Sequence, residues 1–539
     1  MELPVPFTTY ICALLGNEQA EKLFASLEEE QPVSIRINEA KLPHYVDSAA
    51  HSQLSTLHSS LNCVPWSASG YYLDERLTFT FDPLFHAGCY YVQEASSMFV
   101  EQALKQYAGS QPAVMLDLCA APGGKSTHAC SVLPEGSLLV ANEVIRNRSQ
   151  ILAENLTKWG YPDVVVTNND PADFSPLEDF FDVILTDVPC SGEGMFRKDP
   201  VAVSEWSAEN VEICWQRQRR ILRDVWSCLK PGGILIYSTC TYNTKEDEEN
   251  IRWIRDEYNA EVLPLDVPMD WNVTGNLLAG EDFPVYRFLP HKTRGEGFFL
   301  AVLRKPLLGT ASLKVNSSSV KVSFSDVKVT FSDANLNSTS ATLVAEKNKF
   351  VGTRNTLTGK PNKFAGKPNN LRGKGTATPG ISKEQLSALR GWLLASDNYE
   401  LILNGNSVSA FPRAYLQELS ALQASLRIVQ AGVGLAELKG RDWIPNHALS
   451  MSLALNTDAF PCEEVTYQQA IAYLRKEAVT LQDAASRGVI LLTYKHIPIG
   501  FVKNIGNRAN NLYPQEWRIR SGYLPEEIKM LRISLASLL

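Results

Sequence analysis

Between residues 113 and 304 one pattern repeats. Short, almost wholly apolar runs recur: AVMLDLC (113–119), LLVANE (138–143), DVVVTN (163–168), FDVILTD (181–187), GILIYSTC (233–240) and GFFLAVLR (297–304). Stretches with helical spacing separate them, such as RSQILAENLTKWG (148–160). Before LKPGG, Leu222, Val225, Trp226 and Leu229 fall at i, i+3, i+4 and i+7, which predicts an amphipathic helix stopped by Pro231, Gly232 and Gly233. Runs that are apolar without alternation suit strands covered on both faces. Their alternation with helices predicts an α/β fold, a doubly wound, Rossmann-like, mostly parallel sheet. Ligands of such sheets sit beyond the carboxyl ends of the strands.

The flanks read differently. Residues 1–105 mix short helical and extended patterns and predict a small α+β region. SIRINEA (34–40) alternates like a half-buried strand, and GCYYVQEASSMFVEQAL (88–104) leads from a strand or turn into a helix. Residues 306–378 are rich in Ser, Thr, Asn, Lys and Gly. They contain the near copies VKVSFSD and VKVTFSD, and from Lys347 to Lys374 they carry eight basic residues and no acidic one. This predicts a flexible linker, either a tether or a basic strap for a polyanion. Residues 379–539 begin helical and turn β-rich, with a hairpin predicted in RGVILLTYKHIPIGFVKN (487–504) around Lys495–Pro498.

A chain of 539 residues with 45% hydrophobic and 20% charged residues is expected to form several domains. Its net charge of −8 argues against indiscriminate nucleic-acid binding and leaves room for one local basic face. The start, MELPVPFTTYICALLGNEQAEK, lacks the pattern of a signal peptide, and no apolar run is long enough to span a membrane. Ten cysteines are scattered singly, without CxxC or zinc spacing, so no metal is expected. A cytoplasmic protein with free thiols follows.

The predicted strand tips carry the candidate chemistry. LDLCAAPGGKSTHA (116–129) joins a strand to a helix through small residues that let a ligand approach the backbone, yet it is neither GxxxxGK[ST] nor GxGxxG. The next tips bear Glu143, Asp170 and Asp187, acceptors suited to a nucleoside cofactor without phosphates. Cys240 closes the fifth run in YSTCTYN, and the KEDEEN that follows is acidic enough to predict that the chain leaves the core there. A thiol in that place is either core filler or a nucleophile.

LDLCAAPGGKS, ANEVIRNR, DVPCSGEGMFRKD and YSTCTYNTKEDEEN, in this order, resemble the signature motifs of the Nop/Sun family of RNA (cytosine-5)-methyltransferases, and among them the bacterial ribosomal-RNA enzymes of the RsmF type. The likeness covers roughly residues 30–305, and NRANNLYPQEWRIRSG (507–522) resembles that type's PUA-like RNA-binding domain. The resemblance implies a class I methyltransferase domain over 106–305 and S-adenosyl-L-methionine as cofactor. Cys119, Ala120, Ala121, Pro122, Gly123, Gly124 and Lys125 would wrap its methionine part. Glu143, where many members have Asp, would hold the ribose, Asp170 the adenine, and Arg148 would support the site. Asp187, followed by Val188 where alanine is common, would lie near the sulfonium and the target base.

The family's chemistry then assigns the thiols. Cytosine C5 is too weak a nucleophile until a thiolate adds at C6. The resemblance implies that Cys240 adds, that Cys190 assists adduct breakdown, and that a protonated Asp187 beside an apolar wall supplies a hydrogen bond to N3. The remaining cysteines are expected to be structural. The target base must be single-stranded or flipped out.

RNA is the expected partner, with no membrane, no DNA and a monomeric chain. Arg36 and QEASS (93–97) are expected to face it by the same analogy. Arg197 and Lys198 read either as phosphate contacts or as a solvated loop. Lys503, Arg508, Arg518 and Arg520, interleaved with Tyr513 and Trp517, suit RNA or an ordinary surface. A transfer-RNA methyltransferase and a catalytically idle RNA-binding assembly factor stand as alternatives to the ribosomal-RNA enzyme.

Overall fold

The computed structural model describes residues 2–42, 62–307, 381–482, 485–506, 508–523 and 528–531. The repeats and basic run expected within 306–378 lie outside the described residues. Two helices, Val5–Leu15 and Asn17–Ser26, precede a small antiparallel sheet. Its strands are β1 (Val33–Ile37), β2 (Asn62–Cys63), β3 (Gly70–Leu73) and β4 (Tyr90–Val92), in the order β2-β3-β1-β4. The helix Val100–Tyr107 leads from it into the central sheet.

That sheet contains β5 (Val114–Asp117), β6 (Leu138–Asn142), β7 (Val164–Thr167), β8 (Phe181–Asp187), β9 (Leu229–Thr239), β10 (Glu261–Leu263), β11 (Tyr286–Phe288) and β12 (Phe298–Arg304). β5 to β9 run parallel, and β12 lies antiparallel on β9. The lack of alternation in the apolar runs has its reason in the two cores. Met115 of β5, Leu139 and Val183 pack on one face, with Leu152 and Leu156 of the helix Arg146–Trp159. Their neighbours Leu116, Val140 and Ile184 pack on the other, with Ile221, Leu222 and Val225 of the helix Ala208–Trp226. Both faces exclude water, so neither can be polar.

One boundary differs from the sequence reading. The helix ends at Trp226, and Leu229 already belongs to β9, paired with Phe181. Ile234 then pairs with Val183, so Lys230–Gly233 sits out of register, with Gly232 at φ +78°. LKPGG is therefore an irregular strand start and not the helix stop.

The C-terminal part holds β13 (Tyr399–Asn404), β14 (Ser407–Pro412), β15 (Ile428–Ala431), β16 (Val433–Lys439) and β17 (Asp442–Pro445). β13, β14, β16 and β17 form their own sheet, but β15 leaves it and pairs antiparallel with β7. The central sheet thus runs β10-β12-β9-β8-β5-β6-β7-β15, with β11 on β12. A last sheet holds β18 (Cys462–Glu464), β19 (Gly488–Tyr494), β20 (Ile497–Asn504) and β21 (Ala509–Asn511). β19 and β20 are the expected hairpin, turning at Lys495 and His496, both of positive φ. Its core is shared with the N-terminal sheet: Ile35, Tyr71 and Tyr90 pack with Ile471, Tyr473, Ile490 and Leu492. Among the described residues no helix is long and apolar enough to cross a membrane.

Candidate active site

Beyond β5 the chain passes through Leu118–Pro122, with a cis bond between Ala121 and Pro122, and enters the helix Gly124–Val132 at Gly123. Gly123 has φ +117°, and a Cβ there would come 3.3 Å from Leu152 Cδ1, so a side chain would be strained. The helix Arg146–Trp159 holds the loop by its carbonyls. Arg148 Nη2 donates to Ala121 O at 2.8 Å and Asn155 Nδ2 to Pro122 O at 2.7 Å. Arg148 also lies 3.3 Å from Glu143 Oε2, while Glu143 Oε1 accepts the Ile145 N–H. Asp170 accepts the Ala172 N–H at 3.1 Å and faces Arg220 at 3.5 Å.

A cavity of about 360 Å³ opens against this loop, lined by Cys119, Ala120, Ala121, Pro122, Gly124, Lys125, Asp187 and Cys240 together with Asp117 and Phe298. Gly123, Glu143, Arg148, Asp170 and Cys190 are not on its wall. Sequence reading passed over Asp117. It ends β5 fully buried, accepts from Ser126 Oγ at 2.6 Å through Oδ2, and has no partner for Oδ1. Burial, with Asp187 adding repulsion against the Ser126 bond, pushes its carboxyl up to about 7. The signal was available: a carboxylate inside an otherwise apolar run.

Cys190 and Cys240 lie at the tips of β8 and β9 with their sulfurs 3.0 Å apart, and Cys240 faces the cavity. The Cys240 sulfur first, and then burial, raises the Cys190 thiol well above its ordinary value. Asp187 differs from expectation. Its Oδ2 takes the Lys125 ammonium at 2.8 Å and its Oδ1 the Ser238 hydroxyl at 2.8 Å, so both oxygens act as acceptors. Lys125, the donor to Oδ2, stands 5.2 Å over the Phe298 ring. Burial works against the Lys125 charge, but Asp187 outweighs it and the pKa rises.

The acidic run after Cys240 does not leave the core. Glu246, Asp247 and Glu248 are fully buried. Glu246 accepts from Ser191 N at 3.0 Å, Gln218 Nε2 at 2.7 Å and Asn243 Nδ2 at 2.9 Å. Asp247 accepts Thr239 Oγ1 at 2.6 Å and pairs with Arg287 of β11 at 2.9 Å, and Glu248 pairs with the same guanidinium. Glu193, also buried, accepts Tyr242 N, Trp206 Nε1 and Asn243 Nδ2. A distant arginine and inward-turned N–H groups satisfy these charges, and neither can be read from the local run. Burial opposes the Arg287 charge, yet Glu248 and Asp247 raise its pKa on balance. The N-terminal helices brace the same loops: Phe7 packs edge-on to Phe196 and Trp206, and Tyr10 Oη accepts the Thr244 N–H at 2.8 Å.

Several expected RNA contacts are structural instead. Arg36 is fully buried, stacked 4.3 Å from the Trp159 ring and bonded to Gln93 and Thr127. The Arg197 side chain is largely covered and forms an ion pair with Glu296 at 3.1 Å. Tyr513 is a core residue, and Trp517 packs on His447 under Lys158, so neither ring is a free platform. Lys503 pairs with Asp442. Lys198 and, from QEASS, Gln93, Glu94 and Ser97 do face the cavity, and Arg508, Arg518 and Arg520 are exposed.

Comparison with known proteins places these features. The family described as 16S rRNA methyltransferase RsmB/F matches residues 104–304, the N-terminal domain of 16S rRNA methyltransferase RsmF matches 3–95, and the methyltransferase RsmF PUA domain matches 461–519. The ribosomal RNA small subunit methyltransferase F of Citrobacter koseri is 30% identical over 484 residues, 86% of each chain. Its namesake in Escherichia coli O7:K1 is 31% identical over 508 residues, 91% of each. A methyltransferase homolog protein from Pyrococcus horikoshii, of known structure, is 28% identical with a TM-score of 0.47, covering 56% of this chain and 94% of that one.

Proposed function

Because the chain belongs to the RsmF family of ribosomal RNA small subunit methyltransferases, with S-adenosylmethionine as its methyl donor, we propose that it methylates C5 of a cytidine in small-subunit ribosomal RNA through a covalent Cys240–C6 adduct. The residues present fit the donor. Asp117 leaves one buried carboxylate oxygen unpartnered on the cavity wall, the acceptor that a methionine ammonium needs, beside a loop whose small residues keep the backbone open. In this reading Cys119–Lys125 and Asp117 hold the methionine part, Glu143 the ribose and Asp170 the adenine, with Arg148 fixing the Ala121 carbonyl and Glu143 together. The bound donor supplies an electrophilic methyl group.

The observation that carries the proposal is the 3.0 Å approach of the two sulfurs, one of them on the wall of the cofactor cavity. The Cys240 thiolate adds to C6 and C5 gains nucleophilic character. Lys125, oriented by Asp187, donates a hydrogen bond to the electron-rich ring. In the adduct Cys240 is a thioether. It no longer holds the Cys190 thiol up, and only burial and the nearby Glu246 carboxylate still do. Once C5 carries the methyl group that the donor would supply, Cys190 is freer to ionise and to take the C5 proton, after which the C6–S bond breaks and Cys240 leaves as thiolate. The base must reach the sulfur outside a duplex.

The test uses wild type, Cys240→Ala and Cys190→Ala with methyl-labelled donor and ribosomal RNA. Cys240→Ala is expected to lose labelling by at least about 1,000-fold. Cys190→Ala is expected to accumulate a protein–RNA adduct that survives denaturation. Full labelling by Cys240→Ala defeats the proposal. Bisulfite sequencing identifies the modified cytidine.

A further inference from the structure

β15 comes from beyond residue 381 yet completes the cofactor edge of the central sheet. Ile428 and Ala431 pair with Thr167 and Val165 of β7, the strand that leads to Asp170. Just past this pairing the contacts become side-chain specific. Asn169 Oδ1 accepts the Arg427 N–H at 2.9 Å, its Nδ2 donates to Arg427 O at 3.2 Å, and Asn168 N donates to the same carbonyl at 3.1 Å. Asn169 thus reads the backbone of residue 427 as a strand partner would.

The network continues inward. Asn169 N donates to Asn142 Oδ1 at 3.0 Å, and Asn142 Nδ2 donates to Asn169 O at 3.0 Å and to Leu118 O at 3.1 Å. Ala120 N donates to Asn142 O at 2.8 Å, while Asn168 Nδ2 donates to Glu143 O at 2.8 Å. Asn142 and Asn169 are buried, and Thr167 Oγ1 takes the last acceptor site of Asn142. One relay of amides therefore joins the C-terminal strand to the carbonyl of Leu118, the N–H of Ala120, the backbone of Glu143 and the residue before Asp170. Asn142, a buried amide with every site filled, has one low-energy arrangement, and Asn169 is oriented by its pair of bonds to residue 427, so the tips they join are held in one geometry.

We propose that β15 and the Asn169–Asn142 relay are a clamp on the cofactor side of the site, with Asn169 as its positioning residue. The C-terminal region then acts in cofactor binding as well as carrying a domain of the PUA type. The inference rests on the reading that Cys119–Lys125, Glu143 and Asp170 hold S-adenosylmethionine. The test is made on the full-length chain, by S-adenosylmethionine titration calorimetry and steady-state kinetics with ribosomal RNA. Asn169→Ala is expected to weaken cofactor binding by about tenfold and to raise its KM alike, the scale of a lost pair of buried hydrogen bonds. kcat at saturating cofactor and the KM for RNA stay near wild type. Asn169→Asp keeps the acceptor for the Arg427 N–H and the side-chain volume but sets a second carboxylate oxygen against the Arg427 carbonyl, so it is expected to lose at least as much, and it carries the test if Asn169→Ala does not fold.

Gln430→Ala removes a β15 bond to Thr157 (3.0 Å) away from the relay and is expected to leave the cofactor KM unchanged. Wild-type cofactor affinity in the Asn169 variants overturns the clamp. So does an equal loss in Gln430→Ala, which would make the effect one of general edge stability. Glu143→Ala separates the two failures. If it binds cofactor as wild type does, the reading of the cofactor site fails; if it loses binding while the Asn169 variants keep it, the clamp fails alone.

Discussion

At the tips of β5 to β7 the backbone is tied together mainly by neutral amides, those of Asn142, Asn155 and Asn169, with half-exposed Arg148 and Arg220 beside Glu143 and Asp170, and the Asp117 carboxylate keeps one oxygen unpartnered. At the tips of β8 and β9 the reverse holds. Glu193, Glu246, Asp247 and Glu248 are buried, and donors or Arg287 meet them all. The two halves are also braced from opposite ends of the chain. Tyr10 and Phe7 of the N-terminal helices support the cysteine loops, and β15 of the C-terminal part supports the β7 tip. The contrast teaches what each half has to do. Under the proposed function, a site that admits a charged ligand must keep an acceptor free, whereas loops that bring two sulfurs to neighbouring atoms of one ring must be held rigid, and filled ionic networks hold loops rigid.

The comparison can be broken most severely at Arg287. Arg287→Met leaves Asp247 and Glu248 buried without a counter-charge and is expected to cost about 3–5 kcal/mol of stability, read from the denaturant midpoint. A midpoint near wild type would mean that the N–H donors alone suffice. On the cofactor side, Asp117→Asn is expected to weaken S-adenosylmethionine binding by about tenfold with little loss of stability. The same group sets a pH dependence. With its carboxyl near 7, wild-type affinity for the cationic cofactor rises from about pH 6 to about pH 7.5 as Asp117 ionises, and the Asn variant loses this rise.

Stability without cofactor runs the other way. The folded carboxyl titrates near 7 and the unfolded one near 3.8, so the folded chain holds a proton that the unfolded chain has released. The Asp117 contribution therefore falls as pH rises through that window and stays lost above it. A thermal-unfolding profile of wild type against Asp117→Asn checks the sign. The smallest effect belongs to Arg220→Ala. Its contact with Asp170 is exposed and 3.5 Å long, so stability is expected to change by less than about 1 kcal/mol and cofactor affinity by less than about threefold.

Much of the site was legible locally because strand tips follow from apolar periodicity, and a tip is where a parallel sheet presents side chains. Cys190, Cys240, Asp187 and the loop 119–125 were singled out by motif and stand around or against one cavity. Misreadings arose where the partner of a charge lies far off in the chain. KEDEEN looks solvated until Arg287 and Gln218 are brought beside it. Arg36 and Arg197 look like RNA contacts until Trp159 and Glu296 cover them, and Tyr513 looks like a platform until His447 and Tyr473 pack on it.

The sequence by itself determined the doubly wound sheet, the order of its strands along the chain and which tips carry reactive groups, because period and residue type are properties of short segments. Tertiary structure alone decided which charges are inside, that Asp187 faces an ammonium, and that a strand from beyond residue 381 closes the β7 edge of the central sheet. Burial and pairing depend on residues hundreds of positions apart, and no local pattern records them.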